Sequence, residues 1–450
     1  MKKDLNKEEL FERMPVTKAI FTLTIPMIIT SIISIFYNLS DTYFVGILND
    51  PIQNAAVTFV APAMTLFYAV TNLFGIGGSS LMSRKLGEKD YASVEKASAT
   101  ALYFGLFFSL LLSAITLIFN SQMLHILGTS SETESITKQY LFWTVGVGAI
   151  PGIMNLLISF LLRAEGRSLQ ASIGNIAGCV LNIILDPIFI LPWGLNLGAA
   201  GAGFATFISN CCSFVYFMFL LFKLKGKTYV SINPKNFTLN PEILKNIFVV
   251  GIPGVFQNIL NVIGMTILNN LAGNFGTDAV ASIGIVNKLN QLPIQVVFGF
   301  SQGVMPLIGY NYAAKNFPRM KSVISKTFKI TLSCLAAIVC LNIFAGEYLV
   351  RFFMDNDSIV KIGYQFLKGS AISLPFMCID FVVVGVSQSF GIGKCALIFS
   401  FIRKAFLEIP FLYIFSSGFG LYGLAYTSAA GEIIMAAIAL VVLKKLLKRT

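Results

Sequence analysis

Charge is scarce in this chain: only 12% of its 450 residues are charged, where soluble domains carry roughly 25%. There is a single histidine, His125, and there are two tryptophans. One histidine excludes HExxH and paired-imidazole zinc sites. A membrane-embedded enzyme would need such a reactive cluster, or a serine with a base, at membrane depth, so the chain does not read as an enzyme. The seven cysteines, Cys179, Cys211, Cys212, Cys334, Cys340, Cys378 and Cys395, have no zinc-ligand spacing. All lie in or beside apolar runs and read as buried small hydrophobes, with no disulfide framework. The first twenty residues lack the short apolar core and cleavage site of a secretory signal, so the first apolar run is expected to stay. GIGGSS at 75–80 is followed by no GK[ST], which excludes a phosphate loop and leaves close helix packing. With no ATPase domain and no cofactor motif, energy is expected from an ion gradient. Nothing suggests a ring of like charges from several subunits, which argues against a passive channel, and the chain is expected to work as a monomer.

What is abundant is apolar: 56% hydrophobic residues and a mean hydropathy of +0.77. Such a surface needs lipid as its solvent. A net charge of +12 would suggest nucleic acid in a soluble protein. Here Lys and Arg cluster between long apolar runs without interleaved exposed aromatics, so membrane lipid is the expected partner and nucleic acid is not.

A membrane span takes about 20 apolar residues. Runs of that kind predict helices near 19–45, 55–80, 97–119, 139–162, 168–191 and 199–222, then near 246–272, 279–308, 325–345, 363–390, 396–415 and 420–443. With the N-terminus inside, alternation places Lys2, Lys3, Lys7, Arg13 and Lys18 in the cytoplasm, and most later basic residues too, ending at Lys444, Lys445, Lys448 and Arg449. Only Lys138, Arg351 and Lys361 fall outside, with Lys288 and Lys368 inside helices. This is the positive-inside asymmetry of a multi-pass bacterial inner-membrane protein with both termini cytoplasmic.

The polar, basic stretch 223–245, with Pro234 and Pro241, divides two similar halves. Pro26 and Pro253 are 227 residues apart, as are Gly46 and Gly273. Gly75 and Gly299 are 224 apart, Pro187 and Pro410 are 223 apart, and Gly198–Gly420 and Gly201–Gly423 both differ by 222. An ordered, slowly drifting series marks a duplication, and an even number of helices per half makes the repeats parallel. The expected fold is all-α integral membrane, with twelve transmembrane helices in two pseudo-symmetric six-helix bundles around a central cleft. The expected division is an N-terminal lobe over 1–228, a cytoplasmic linker over 229–245 and a C-terminal lobe over 246–450.

Ionisable groups within spans cost about 2.5–3.5 kcal/mol each at a helix centre, which makes them functional candidates. Asp41 and Asp186 each lie about five residues, or ~7 Å, before the outer end of an outward-running helix. Asn182 shares a face with Asp186 at i and i+4, and Thr206 enters the sixth helix from the same side. Two carboxylates, an amide and a hydroxyl suit a hard cation such as Na⁺, or a proton. The second half has Leu268 where the first has Asp41. Its own polar set is Lys288, Asp380, Glu408 and Glu432, with Arg403 nearby, and a purely structural role is as good a reading as a functional one. Of the intrahelical prolines, Pro26, fifteen residues before Asp41, is the candidate hinge.

DTYFVG at 41–46, RKLGEKD at 84–90, RAEGRSLQASIGNIAGCVLNIILDPIFI at 163–190, PLIGYNYAAKN at 306–316 and QSFGIGKCALIFSFIRKAFLEIP at 388–410 together resemble the multidrug and toxic compound extrusion (MATE) transporters. Within that family they are closest to a branch of bacterial drug exporters. The resemblance covers nearly the whole chain. It implies two six-helix lobes and export of lipophilic, often cationic drugs against H⁺ or Na⁺. It also implies a first-lobe cation site on Asp41, Asn182, Asp186 and Thr206. Some relatives carry coupling acids in the second lobe. The seventh helix here has Asn258, Asn261, Asn269 and Asn270 instead, leaving Asp380 as the one carry-over. The alternative within this architecture is a lipid-linked oligosaccharide flippase. Such proteins usually need a strongly cationic cleft, whereas here the basic residues lie in loops, with only Lys288 and Arg403 deeper.

Overall fold

In a lipid solvent each backbone N–H and C=O must be satisfied within its own segment, and an apolar run does this as a helix. The computed structural model describes residues 8–448, so Lys2, Lys3, Lys7 and Arg449 lie outside the described residues. Among the described residues there is no strand, and twelve helices correspond to the twelve expected. They are α1 (Val16–Ile47), α2 (Pro51–Gly87), α3 (Tyr91–Ile118), α4 (Glu134–Ala164), α5 (Ser168–Ile190), α6 (Gly198–Lys223), α7 (Pro241–Gly273), α8 (Thr277–Ala313), α9 (Phe317–Phe344) and α10 (Asp357–Ser389), each long and apolar enough to cross a membrane. The helical run after Gly393 breaks at Gly420, giving α11 (393–419) and α12 (421–448). The chain folds back there: a Cβ on Gly423 would meet the Phe415 carbonyl, and one on Gly431 would meet Leu407. Short helices Asn120–Leu127 and Gly346–Phe353 precede α4 and α10. Two π turns, Phe142–Gly146 in α4 and Ile402–Glu408 in α11, interrupt the α geometry.

Side-chain caps fix the starts of α2, α3, α9 and α10. α2 overruns the expected 55–80 at its start because Asp50 accepts from Ile52 N at 2.9 Å, with Pro51 in the first turn. Proline there costs no hydrogen bond. The duplication is visible in the backbone as well. Positive φ recurs at Asn49 and Gly276, Lys89 and Lys315, Gly166 and Gly391, and Gly198 and Gly420, at spacings of 227, 226, 225 and 222. Asp90 and Asn316, next to the second pair, cap α3 and α9 by the same bond to the N–H three residues on. Gly201 presses on the Phe189 carbonyl as Gly423 does on that of Phe415.

Contacts divide the chain into two compact units. The first holds Ile25–Val255 and the described residues up to Met14; the second holds Pro15–Thr24 and everything from Phe256. The division within α1 falls just before Pro26, and that within α7 falls just after Pro253. α1 stays helical through Pro26, and Thr30 Oγ1 donates to the Pro26 carbonyl at 2.8 Å. Phe67, Leu141, Ile153 and Ala199 centre the core of the first unit; Val286, Leu367, Leu412 and Leu424 centre that of the second. The cysteines are free, but only Cys378 is buried, while Cys212, Cys334 and Cys340 are exposed. The expectation of burial fails there because a lipid-facing surface is as apolar as a core.

The segment between α6 and α7 is strapped to the first unit. Glu165, 1% exposed, accepts from Thr228 Oγ1 at 2.7 Å, Tyr229 N at 2.8 Å and Arg167 Nε at 2.8 Å. Ser98 Oγ donates to Tyr229 O and accepts from Ser231 N, both at 2.9 Å, and Tyr91 stacks on Tyr229 with centroids 5.0 Å apart. Glu165→Gln removes the charge behind three of these bonds. It is expected to cost about 2 kcal/mol, the scale of charged hydrogen bonds. A lower unfolding midpoint in detergent and new protease cleavage within 224–240 would show this.

Candidate functional site

In the first unit the structure brings Asp41, Asn182, Asp186 and Thr206 together. α1 contributes Asp41, α5 contributes Asn182 and Asp186, and α6 contributes Thr206; their exposures are 9%, 1%, 0% and 6%. The two carboxyl groups stand close enough to interact electrostatically. With both ends of its amide satisfied, Asn182 donates from Nδ2 to Asp186 Oδ2 at 3.2 Å, and its oxygen accepts from Thr206 N at 3.0 Å. Tyr37 OH and Thr206 Oγ1 lie 3.3 Å apart. Asp41 Oδ1 is buried without a hydrogen-bond partner. Neither carboxylate forms an ion pair among the described residues.

Three tyrosines complete the surroundings. Tyr37, Tyr68 and Tyr140 stand within electrostatic reach of Asp41. Tyr37 was legible, since it precedes Asp41 by one helical turn on the same face. Tyr68 on α2 and Tyr140 on α4 left no such signal, because nothing in their local sequence ties them to α1. Two carboxylates buried side by side without a basic partner are costly while both are ionised, and a small cation held between them would offset that cost. The donors present, carboxylate, hydroxyl and phenol oxygens, suit H⁺ or Na⁺.

The second unit holds three of its four expected polar residues in one cluster. Asp380 on α10 accepts from Arg403 Nη1 on α11 at 3.2 Å, with both side chains almost fully buried. Glu432 on α12 and Glu408 on α11 stand within electrostatic reach of Arg403. Lys404 Nζ straddles both oxygens of Glu408 at 2.8 and 2.6 Å. The π turn 402–408 carries Arg403, Lys404 and Glu408, re-aiming them relative to a regular helix. Lys288 does not join: it is exposed on α8 and forms no ion pair among the described residues. The basic member of the cluster is Arg403 instead, whose planar guanidinium is more easily desolvated than an ammonium.

The repeat explains what this cluster replaces. At the spacing of 225 that relates Gly166 to Gly391, Asp380 matches Asn155. At the spacing of 222 that relates Gly201 to Gly423, Glu432 matches Asn210. In the first unit Asn155 Nδ2 donates to Asn210 Oδ1 at 3.0 Å, a neutral tie between α4 and α6. The second unit has two carboxylates at these positions, and Asp380 is tied to Arg403 on α11 instead.

The MatE family model matches the chain twice, over residues 26–188 and 253–414, the same two repeats seen in the backbone. The chain is 33% identical to the multidrug export protein MepA of Staphylococcus aureus (strain NCTC 8325 / PS 47), over 96% of this chain and 94% of that one. MepA of Staphylococcus haemolyticus (strain JCSC1435) is 33% identical over 98% of this chain and 96% of its own. Among solved structures, an outward-facing multidrug resistance MATE family transporter of the MOP superfamily superimposes with a TM-score of 0.93 at 26% identity, covering 100% of both chains. Two matches to one family model, two lobes of one repeat and a relative alike from end to end place this chain in the MatE family of multi-pass membrane transporters.

Proposed function

We propose that the chain exports lipophilic, often cationic compounds by alternating access, in antiport with H⁺ or Na⁺, and that the cation binds at Asp41, Asn182, Asp186 and Thr206. The observation that carries this reading is the facing carboxylate pair of α1 and α5, buried without a basic partner. A cation held there offsets the cost of the ionised pair, so occupancy of the site follows the cation gradient. Binding drives transport only if the two conformations hold the cation with different affinity. α1 can supply that difference, since it carries both Asp41 and Pro26. A bend at Pro26 moves Asp41 relative to Asp186 and alters the grip on drug. The printed names of the relatives supply the substrate class, multidrug export. The basic loops supply the orientation, both termini in the cytoplasm of a bacterial cell, with a single chain as the working unit.

Ethidium efflux from vesicles under a proton gradient and, separately, a sodium gradient tests the reading. Efflux that follows one gradient names the ion. No efflux under either would sink drug antiport, and lipid-linked oligosaccharides would be the next substrates to try.

A further inference from the structure

Inside the first unit a file of polar groups runs from the carboxylate pair toward the Arg163 end of α4. Below Asp186 and Asn182, α5 presents Asn175; below Thr206, α6 presents Ser209 and Ser213. The helices close on Gly178, where a Cβ would strike Ser213 Oγ and approach the Ser209 carbonyl. Ser213 Oγ donates to Gly174 O at 3.1 Å, and Asn175 Nδ2 donates to Ser159 Oγ at 3.2 Å. Arg163 Nη1 donates to the same Ser159 oxygen at 3.3 Å. Three members of the file, Ser209 Oγ, Asn175 Oδ1 and Ser172 Oγ, are buried without a partner. Side chains left unsatisfied in a row are places where water or an ion can sit.

The file ends on a charge. Arg163 is 9% exposed, its Nε has no partner, and no acid pairs with it among the described residues. Neighbouring Glu165 is committed to the strap and Arg167. The Phe160 ring lies beside the guanidinium, its centroid 5.9 Å away. A buried arginine without a counter-ion raises the energy of any cation approaching it, as arginines do in selective pores. The repeat supplies the control. Gln388 occupies the position matching Arg163, at the spacing of Gly166 and Gly391, and Gln302 Nε2 donates to it at 3.2 Å. The lobe with Leu268 in place of Asp41 is also the lobe with a neutral amide in place of the arginine.

We propose that Arg163 is an electrostatic plug: it stops the cation held at Asp41 and Asp186 from slipping through the interior of the first lobe, so that release requires the conformational change. This rests on the coupling site proposed above, and Arg163 acts on the ion's path without touching drug.

Proteoliposomes without drug test it by following lumenal pH and ²²Na⁺ after a gradient is imposed. Arg163→Gln keeps a donor for Ser159 and loses the charge; it should dissipate the gradient of the coupling ion about tenfold faster than wild type. Asn175→Asp places a carboxylate one hydroxyl away from an intact Arg163, and should leak likewise. Arg163→Lys should stay tight, as should Arg163→Gln combined with Asp41→Asn. Tight Arg163→Gln and Asn175→Asp vesicles, beside a wild type in which drug drives the ion, overturn the plug alone. Leak from Arg163→Lys as large as from Arg163→Gln overturns the role of charge. A wild type in which drug drives neither ion removes the coupling site, and the plug with it.

Discussion

Asp41→Asn is expected to reduce gradient-driven drug efflux to the level of empty vesicles while leaving the protein folded. The substitution is nearly isosteric and removes one of two facing carboxylates, so the pair no longer requires a cation. Asp186 then keeps its amide bond from Asn182 at 3.2 Å, and the site loses its dependence on the gradient. A ligand with equal affinity for two states shifts neither, however tightly it binds, so loss of coupling and not merely weaker binding is the expected phenotype. Relief of the crowded carboxylates makes unchanged or higher stability the companion result. Asp186→Asn should behave much the same. The check is ethidium efflux beside a thermal unfolding curve for each variant. Normal coupled efflux in both would remove the first-lobe site.

Arg403→Ala should produce the largest loss of stability. It leaves Asp380, 2% exposed, without its ion partner and facing Glu432, whose Oε2 is already unpartnered. Removing one partner of a buried ion pair costs about 3–5 kcal/mol, much of it the penalty of the stranded charge. Replacing both partners, Asp380→Asn with Arg403→Gln, should recover most of that loss, because neither a stranded carboxylate at 380 nor an unpaired guanidinium at 403 is left. Unfolding midpoints in detergent decide it. A loss below about 1 kcal/mol for the single variant would mean that the charges are solvated rather than buried. The same pair of variants separates structure from transport: a double variant that is stable yet inactive would give the cluster a part in transport.

The fold was legible because lipid makes the coding simple. Apolar runs mark helices, and glycine and proline mark the repeat. Positive φ at Gly198 and Gly420 and the close approaches at Gly201 and Gly423 are the physical reasons those glycines recur at one spacing. Asp41, Asn182, Asp186 and Thr206 could be grouped from depth and helical face, since both are fixed by rise and periodicity. Tyr68 and Tyr140 could not, because their approach to Asp41 depends on how α2 and α4 pack around α1. The second cluster was only half legible. Glu408, Glu432 and Asp380 were visible as costly residues, but the π turn that turns Arg403 toward Asp380 leaves no mark in hydropathy. Lys288 was misplaced for another reason: its place in a helix was right, but polar residues on several faces of that helix hid which face packs inward, and Lys288 lies exposed.

The most direct test of the central claim is substrate-driven ion flow. Vesicles with equal H⁺ and Na⁺ on both sides are given a drug gradient alone, while lumenal pH and ²²Na⁺ are followed for wild type and Asp41→Asn. Wild type should move one of the two cations opposite to the drug, and Asp41→Asn should move neither. Drug crossing with no cation moving, or the same cation flow in the variant, would contradict antiport through this carboxylate pair.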